Sequence, residues 1–243
     1  MINVIVCDTY EQMSEEGAKI IAAQLTSKPD SILGLATGST PVGMYQCLQK
    51  MNKAGEISFK DVTSYNLDEY YPLAPTHDQS YRYFMNYNLF DHVDIDKSRT
   101  HVPNGLAKDP AEEGKAYDAA VAAAGGIDIQ VLGLGQNGHI GFNEPEKELY
   151  AGTHLTDLTD NTIEANARFF ASKDDVPTQA ITMGLATIMQ AKKILVLASG
   201  VNKHAVVAKM VSDDRITTEI PCTVLKAHKD VVLICDKAAY FGA

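Results

Sequence analysis

Residues 128–145 read DIQVLGLGQNGHIGFNEP, and the predicted fold is organised around this stretch. Residues 127–134 form an apolar, β-branched run with the length and composition of a strand that is buried on both faces. The run ends in glycines and polar side chains, and ligands of open α/β sheets bind at the carboxyl ends of such strands. The stretch therefore predicts a buried parallel strand followed by a functional loop.

The same loop contains the glycine pattern of a dinucleotide fingerprint, from Gly133 to Gly138. That fingerprint requires a helix to open at the third glycine. Residues 139–145 follow instead and end in a proline, which is a poor residue for a helix interior. The nucleotide interpretation is therefore weak. A metal site is also not expected, because His139, Glu144 and His154 have no recognised ligand spacing.

Composition and charge exclude several kinds of partner. The chain has 243 residues, of which 45% are hydrophobic and 21% charged, as in an ordinary soluble globular protein. Its formal net charge of -10 argues against a nucleic-acid or anionic-membrane surface, because both need clustered Lys and Arg. An anionic ligand would therefore have to be held by a few placed cations.

The cysteines and the N-terminal residues indicate the compartment. The four cysteines show no C-x-x-C spacing, so neither a zinc site nor a disulfide framework is indicated. The first residues contain no basic segment before their short apolar run, and nowhere do about 18 apolar residues run together. We expect a reduced, cytoplasmic protein that is neither secreted nor inserted in a membrane.

Apolar runs alternate with helical patterns along the chain, which predicts a mostly parallel sheet covered by helices on both faces. The predicted strands are residues 2–7, 31–35, 61–67, 100–103, 127–134, 153–158, 194–198 and 231–235. The predicted helices are residues 9–25, 42–51, 80–90, 110–124, 161–170, 181–189 and 202–211. No linker or repeat divides the chain, so a single domain over residues 1–243 is the simplest prediction.

The turn after the second predicted strand has the features of an anion site. It contains Gly38, Ser39 and Thr40, and Pro41 follows at the expected first turn of a helix. The N-terminus of a helix presents free N–H groups, which suit a phosphate. An ordinary capped turn is the alternative. Farther along the chain, Asn202 as N-cap would place Lys203 in another first turn.

Acid–base residues follow two other predicted strands. Asp68 and Glu69 lie at the end of the third strand, and Asn137, His139 and Glu144 lie in the loop after the central strand. A phosphate grip, a carboxylate and a histidine at one sheet edge point to proton transfer on a phosphorylated metabolite. The alternatives are a solvated strand end for the two acids and a loop histidine satisfied by backbone groups.

Five segments carry a resemblance to a known family. They are LATGSTP at 35–41, NLDEYYPL at 66–73, GLGQNGHIGFNEP at 133–145, ANARFF at 165–170 and SGVNKHA at 199–205. In order and spacing they resemble the signature segments of glucosamine-6-phosphate deaminases. The resemblance implies a single Rossmann-like α/β domain, shared with 6-phosphogluconolactonases. It also implies a hydrolase acting on a carbon–nitrogen bond, which converts glucosamine 6-phosphate and water to fructose 6-phosphate and ammonium in amino-sugar catabolism.

The resemblance also implies a role for each matching residue. Asp68 would be the base that takes the C2 proton of the open-chain sugar and returns it at C1. His139 would serve ring opening, assisted by Glu144 and by Asn137. No cofactor or metal is implied, and glucosamine 6-phosphate would be the small-molecule partner. The phosphate would be held by Gly38, Ser39, Thr40, Arg168 and Lys203.

The sequence departs from the family pattern at two places. Some members carry an aspartate at the position of Asn137, and an amide stabilises an imidazolium less, so we expect a displaced pH optimum. Members activated by an anionic effector carry a basic cluster where this chain has residues 154–157, which contain neither Arg nor Lys. We therefore expect no allosteric activation, and a monomer or a small homo-oligomer.

Two other functions compete with this prediction. A 6-phosphogluconolactonase would share the fold, the phosphate grip and a histidine base, but it has no need of a carboxylate that moves a proton between carbons. Asp68 therefore counts against it. A non-enzymatic sugar-phosphate sensor of the kind found in DNA-binding regulators is less favoured, because the charge of the chain is wrong for DNA.

Overall fold

The computed structural model describes residues 2–167, 170, 172 and 175–242. The strands are Asn3–Cys7 (β1), Ile32–Leu35 (β2), Thr63–Asn66 (β3), Asp68–Tyr71 (β4), Thr100–His101 (β5), Ile129–Gly133 (β6), His154–Asp157 (β7), Gln179–Thr182 (β8), Lys193–Ala198 (β9) and Val231–Asp236 (β10). The α-helices are Tyr10–Ser27 (α1), Val42–Lys53 (α2), Tyr81–Asn88 (α3), Pro110–Ala123 (α4), Asp160–Ala167 (α5), Leu185–Met189 (α6), His204–Val211 (α7) and Lys237–Phe241 (α8).

Seven strands form one parallel sheet in the order β1-β10-β9-β6-β2-β3-β5. Every residue of β2 and of β10 is buried, although successive side chains point to opposite faces. Both faces of the sheet centre are therefore covered. β6 and β2 are neighbours whose chain connections lead to opposite halves of the sheet, which makes their carboxyl ends the expected ligand-binding crevice. The predicted α/β fold with a mostly parallel sheet is confirmed.

A second sheet of three antiparallel strands, β4-β8-β7, corrects two predictions. The predicted strand over residues 61–67 ends at Asn66, and Asp68 begins a new strand instead of a solvated strand end. The predicted helix over residues 181–189 is wrong in its first part, where Ile181 and Thr182 belong to β8. Pairing with β4 and β7 on both sides overrides the helical pattern there, and short apolar runs are ambiguous by periodicity alone.

The turn before α7 also differs from its prediction. Asn202 is not an N-cap, because a short 3-10 turn spans Val201–Lys203 and α7 begins at His204. The turn is fixed by Asp236, whose carboxylate accepts hydrogen bonds from the backbone N–H of Gly200. Gly200 has a φ of +92°, a conformation that suits glycine. Lys203 therefore lies in a turn that is fixed by Asp236 and not by a cap at residue 202.

Within the described part of the chain, no helix is both long and apolar enough to cross a membrane.

Candidate active site

A cavity of about 560 Å³ opens at the carboxyl ends of β2, β6 and β9. Six of the nine predicted site residues line it, namely Gly38, Ser39, Thr40, Asp68, His139 and Lys203. Asn137 and Glu144 stand behind His139 and contact it. Arg168 lies outside the described residues. The structure therefore brings the predicted anion-binding turn and the predicted acid–base residues to one cavity.

Asp68 is the buried carboxylate of the cavity. Its residue surface is 5% exposed, and burial, with the nearby charge of Glu69, raises the pKa of Asp68 to about 8. The chain of the histidine loop passes close to it, since a Cβ added at Gly141 would lie 3.6 Å from Asp68 Oδ2. Asp68 is thus shielded from water, as a carboxylate that removes a proton from carbon must be.

The neighbouring Glu69 points elsewhere, as the alternation along a strand predicts. Its carboxylate accepts the backbone N–H groups of Tyr70, Tyr81 and Arg82 at 2.8–3.0 Å. Two of these donors belong to the first turn of α3, so Glu69 serves the N-terminus of that helix. Burial still raises the pKa of Glu69 to about 7, against the effect of the three N–H donors.

The aromatic side chains of α3 and of the histidine loop form part of the cavity wall. The rings of Tyr81 and Phe142 are nearly parallel, with centroids 6.1 Å apart, and Tyr70 packs 4.8 Å from Tyr81 behind them. Such rings exclude water, which accounts for the desolvation of Asp68. Tyr81 was not predicted as a site residue, and the sequence gives no stronger sign of it than the Tyr-rich pattern of α3.

His139 is oriented by Glu144 and by the backbone. Its Nδ1 lies 3.2 Å from Glu144 Oε2, and its backbone N–H donates to Asn137 Oδ1 at 3.2 Å. Asn137 Nδ2 donates to the same Glu144 oxygen at 2.6 Å, so the amide supports the carboxylate and not the ring. The imidazole lies directly on Gly135, where an added Cβ would come within 2.5 Å of three ring atoms. Any larger residue at 135 would displace the ring.

The other carboxylate oxygen of Glu144, Oε1, faces the hydroxyl groups of two threonines at the start of α5. Thr162 Oγ1 donates to Glu144 Oε1 at 2.5 Å and Thr159 Oγ1 lies 3.4 Å from it. Burial would raise the pKa of Glu144, but hydrogen bonds from His139, Thr162 and Asn137 outweigh it and lower the pKa to about 2. Glu144 is therefore charged at neutral pH. No spacing in the sequence points to Thr162 as its partner.

The predicted anion-binding turn lies at the N-terminus of α2, and its shape has one unforeseen support. Gly38 has a φ of +87° with open space beside it, and Ser39 is exposed. The Tyr10 hydroxyl accepts the N–H of Gly43 at 2.8 Å and lies 3.2 Å from the backbone oxygens of Ser39 and Thr40. Tyr10, from the first turn of α1, thus fixes the shape of the turn at the start of α2.

Lys203 also lines the cavity. Its Nζ donates to the backbone oxygen of Leu134 at 2.6 Å, just after β6. The preceding Ser199 donates its hydroxyl to Asp236 at 2.5 Å, which holds the turn that carries the lysine. A cation is therefore placed beside the anion-binding turn in a chain of net charge -10. Among the described residues, no group of three or more His, Cys, Asp or Glu side chains could hold a metal ion.

A turn at a helix N-terminus, a buried carboxylate and a histidine–carboxylate pair meet at one cavity of an α/β sheet, an arrangement that suits acid–base chemistry on an anionic ligand. The family model described as glucosamine-6-phosphate isomerases/6-phosphogluconolactonase matches residues 8–234, so the chain belongs to this family.

Relatives of high sequence identity bear the name of one enzyme within this family. A glucosamine-6-phosphate deaminase of Clostridium perfringens is 60% identical over 98% of each chain. One of Clostridioides difficile is 54% identical over 98% of this chain and 95% of its own.

Solved structures give the same family. The structure of a monomeric glucosamine-6-phosphate deaminase superposes with a TM-score of 0.95 at 42% identity, covering 98% of both chains. The 6-phosphogluconolactonase of Thermotoga maritima gives a TM-score of 0.78 at 18% identity, over 98% of this chain and all of that one. The latter similarity shows the fold alone.

Proposed function

We propose that the protein is a glucosamine-6-phosphate deaminase, which converts glucosamine 6-phosphate and water to fructose 6-phosphate and ammonium. The observation that carries the proposal is the shared cavity, where Asp68 is buried and His139 is paired with Glu144. Relatives that match nearly the whole chain at 54–60% identity bear this name. The sites and their roles below are part of the proposal.

The phosphate of the substrate would bind at the turn that contains Gly38, Ser39 and Thr40. The N-terminus of α2 supplies the positive end of a helix dipole there, and Lys203 supplies a full charge. Arg168, which immediately follows α5 in the sequence, would add a second cation. A sugar anchored at its phosphate end would extend its ring toward His139 and Asp68.

Ring opening requires a proton to leave the anomeric hydroxyl and another to reach the ring oxygen. His139 lines the cavity through its ring, while its Nδ1 is engaged by Glu144, so the free Nε2 would face the sugar. The charged Glu144 fixes the tautomer and the orientation of the ring. This arrangement suits a group that both accepts and donates a proton.

Asp68 would then carry the C2 proton. It removes the proton from C2 of the open-chain sugar to give an enolamine, while O1 gains the proton that the C2 ammonium loses. It then delivers its proton to C1, which leaves a protonated imine at C2. Water adds to the imine and ammonia departs, giving fructose 6-phosphate and, after protonation, ammonium. The substrate ammonium at C2 would also favour the charged form of Asp68 on binding, because a cation next to a carboxylate lowers its pKa.

The lactonase alternative has less support. Lactonases share this fold, and lactone hydrolysis would use the same anion-binding turn and histidine. It offers no use for a buried carboxylate in the same cavity whose pKa is raised to about 8. The sequence relatives at high identity are named as deaminases.

The assembly and the compartment belong to the same proposal. A monomeric deaminase superposes on the whole chain, and residues 154–157 offer no cation for an anionic effector. We therefore propose a monomer or small homo-oligomer without allosteric activation, which works in the cytoplasm.

The test is a direct assay of the purified protein with glucosamine 6-phosphate. Ammonium and fructose 6-phosphate should appear in equal amounts, whereas glucosamine without its phosphate should react far more slowly. In parallel, 6-phosphogluconolactone is offered and acid release is followed. Hydrolysis of the lactone without any ammonium from the amino sugar would overturn the proposal.

A further inference from the structure

Glu144 receives a hydrogen bond that neither its role nor its neighbours in the loop account for. Thr162 Oγ1 donates to Glu144 Oε1 at 2.5 Å, and both residues are buried, with 4% of each exposed. The two residues are 18 positions apart in the chain. Thr162 belongs to α5, whereas Glu144 belongs to the histidine loop, so the bond joins two separate elements.

The bond completes the set of donors around the carboxylate. Oε2 faces His139 Nδ1 and Asn137 Nδ2, and Oε1 faces Thr162 and, at 3.4 Å, Thr159. Without Thr162, Oε1 would be left in a buried site with only the long contact to Thr159. A buried carboxylate oxygen without a partner is costly, and the side chain would turn to find another donor. That rotation would move Oε2 away from the imidazole.

Thr159 supports the geometry from the other side. Its hydroxyl lies 3.1 Å from Thr162 Oγ1, and it also accepts the N–H of Thr162 at 3.3 Å. The Thr162 hydroxyl is thereby oriented toward Glu144, since its position is limited by both the helix turn and the second threonine. Thr162 is therefore held as firmly as the carboxylate it contacts.

We propose that Thr162 is a positioning residue for the reaction, which acts through Glu144 to hold the His139 imidazole in its working orientation. This inference rests on the proposed deaminase activity and deepens it. Neither the family signature segments nor the composition single out residue 162.

The first experiment replaces the hydroxyl without changing the shape of the side chain. Thr162→Val should lower kcat by about tenfold, because a hydrogen bond to a charged group is lost, with little change in KM. Thr162→Ser keeps the hydroxyl and should restore at least half of the wild-type kcat. Thr159→Val should have a smaller effect, since its contact is longer. Thr156→Val, in β7, is the matched control and should leave kcat unchanged.

A double-mutant cycle separates positioning from general loss of structure. In a Glu144→Ala background the threonine has no carboxylate to hold, so adding Thr162→Val should change kcat by less than about twofold. A purely structural role would cost the same factor in both backgrounds and would track the melting temperature of each variant. Equal factors, or a Thr162→Val enzyme within twofold of wild type, would overturn the inference. Absence of ammonium release by the wild type would instead remove the proposed function.

Discussion

Two carboxylates of the candidate site are both buried, and yet their pKa values are shifted in opposite directions. Asp68 is 5% exposed and Glu144 is 4% exposed, but the pKa of Asp68 is raised to about 8 and that of Glu144 is lowered to about 2. Around Asp68, burial is reinforced by the charge of Glu69. Around Glu144, burial is outweighed by donors from three side chains.

The difference shows that burial does not by itself set the protonation of a site. The donors placed around each group decide it. Glu144 stays charged and can orient an imidazole at all working pH values. Asp68 is held near the middle of the physiological range, where a carboxyl group can both accept and release a proton. One buried acid therefore suits an electrostatic role, and the other suits proton transfer.

The largest expected effect follows from removing the carboxylate of Asp68, which is proposed to transfer the proton. Asp68→Asn keeps the shape of the side chain but has no basic oxygen, so kcat for ammonium release should fall by about 10³- to 10⁴-fold. Steady-state assays of ammonium and fructose 6-phosphate measure it. Asp61→Asn, at an exposed aspartate before β3, is the control and should retain the wild-type activity. A variant with undiminished turnover would mean that another group is the base.

The same substitution should change stability in a pH-dependent way. Between pH 4 and 8 the unfolded chain has released the Asp68 proton while the folded protein holds it, so wild-type stability falls as pH rises through this window. Asp68→Asn lacks this loss and should gain on the order of 5 kcal/mol over wild type on going from pH 4 to pH 8. Urea unfolding at both pH values measures the gain. A constant difference between the two proteins would show that burial does not raise this pKa.

Removing the charge of Glu144 should lower kcat less than removing the carboxylate of Asp68. Glu144→Gln retains hydrogen bonding but removes the charge beside His139, so kcat should fall by about 10²-fold. KM for the sugar phosphate should change little, because the phosphate ligands are untouched. An equal loss in the exposed Glu146→Gln control would show that the effect is not specific to the buried pair.

A smaller effect is expected at Asn137. Asn137→Asp would replace the amide that donates to Glu144 Oε2 with a second acidic group near the imidazole, and added negative charge there favours the protonated form of the ring. The pH–rate profile should move to higher pH by about half a unit to one unit, with a change of only a few fold at the optimum. Superimposable profiles of the two proteins would refute the electrostatic role of this position.

Most of the fold could be predicted because its strands are continuous apolar runs with glycines at their ends, as in residues 127–134. The second sheet could not, because β4 and β8 are four residues each and their pairing joins positions more than a hundred residues apart. The short run at β8 therefore appeared helical. Asp68 is buried in this sheet, whereas its sequence context alone favours a solvated position.

The contacts of the candidate site could also be predicted only in part. His139 and Glu144 lie in one loop, so their contact follows from five residues of chain. The contacts of Thr162 with Glu144 and of Tyr10 with the turn at Ser39 bridge 18 and 29 positions. Threonine and tyrosine hydroxyls have no spacing that distinguishes these partners from any others, which is why only the folded chain reveals them.

The protonation of Asp68 in the free protein is the most direct test of the account. A ¹³C NMR titration of the aspartate carboxyl groups, with the Asp68 signal assigned by its loss in Asp68→Asn, gives the midpoint directly. We expect the Asp68 carboxyl group to titrate with a midpoint near pH 8, about four units above that of an ordinary aspartate. A midpoint near 4 would contradict it, because Asp68 would then be a solvated acid with no special fitness for taking a proton from carbon.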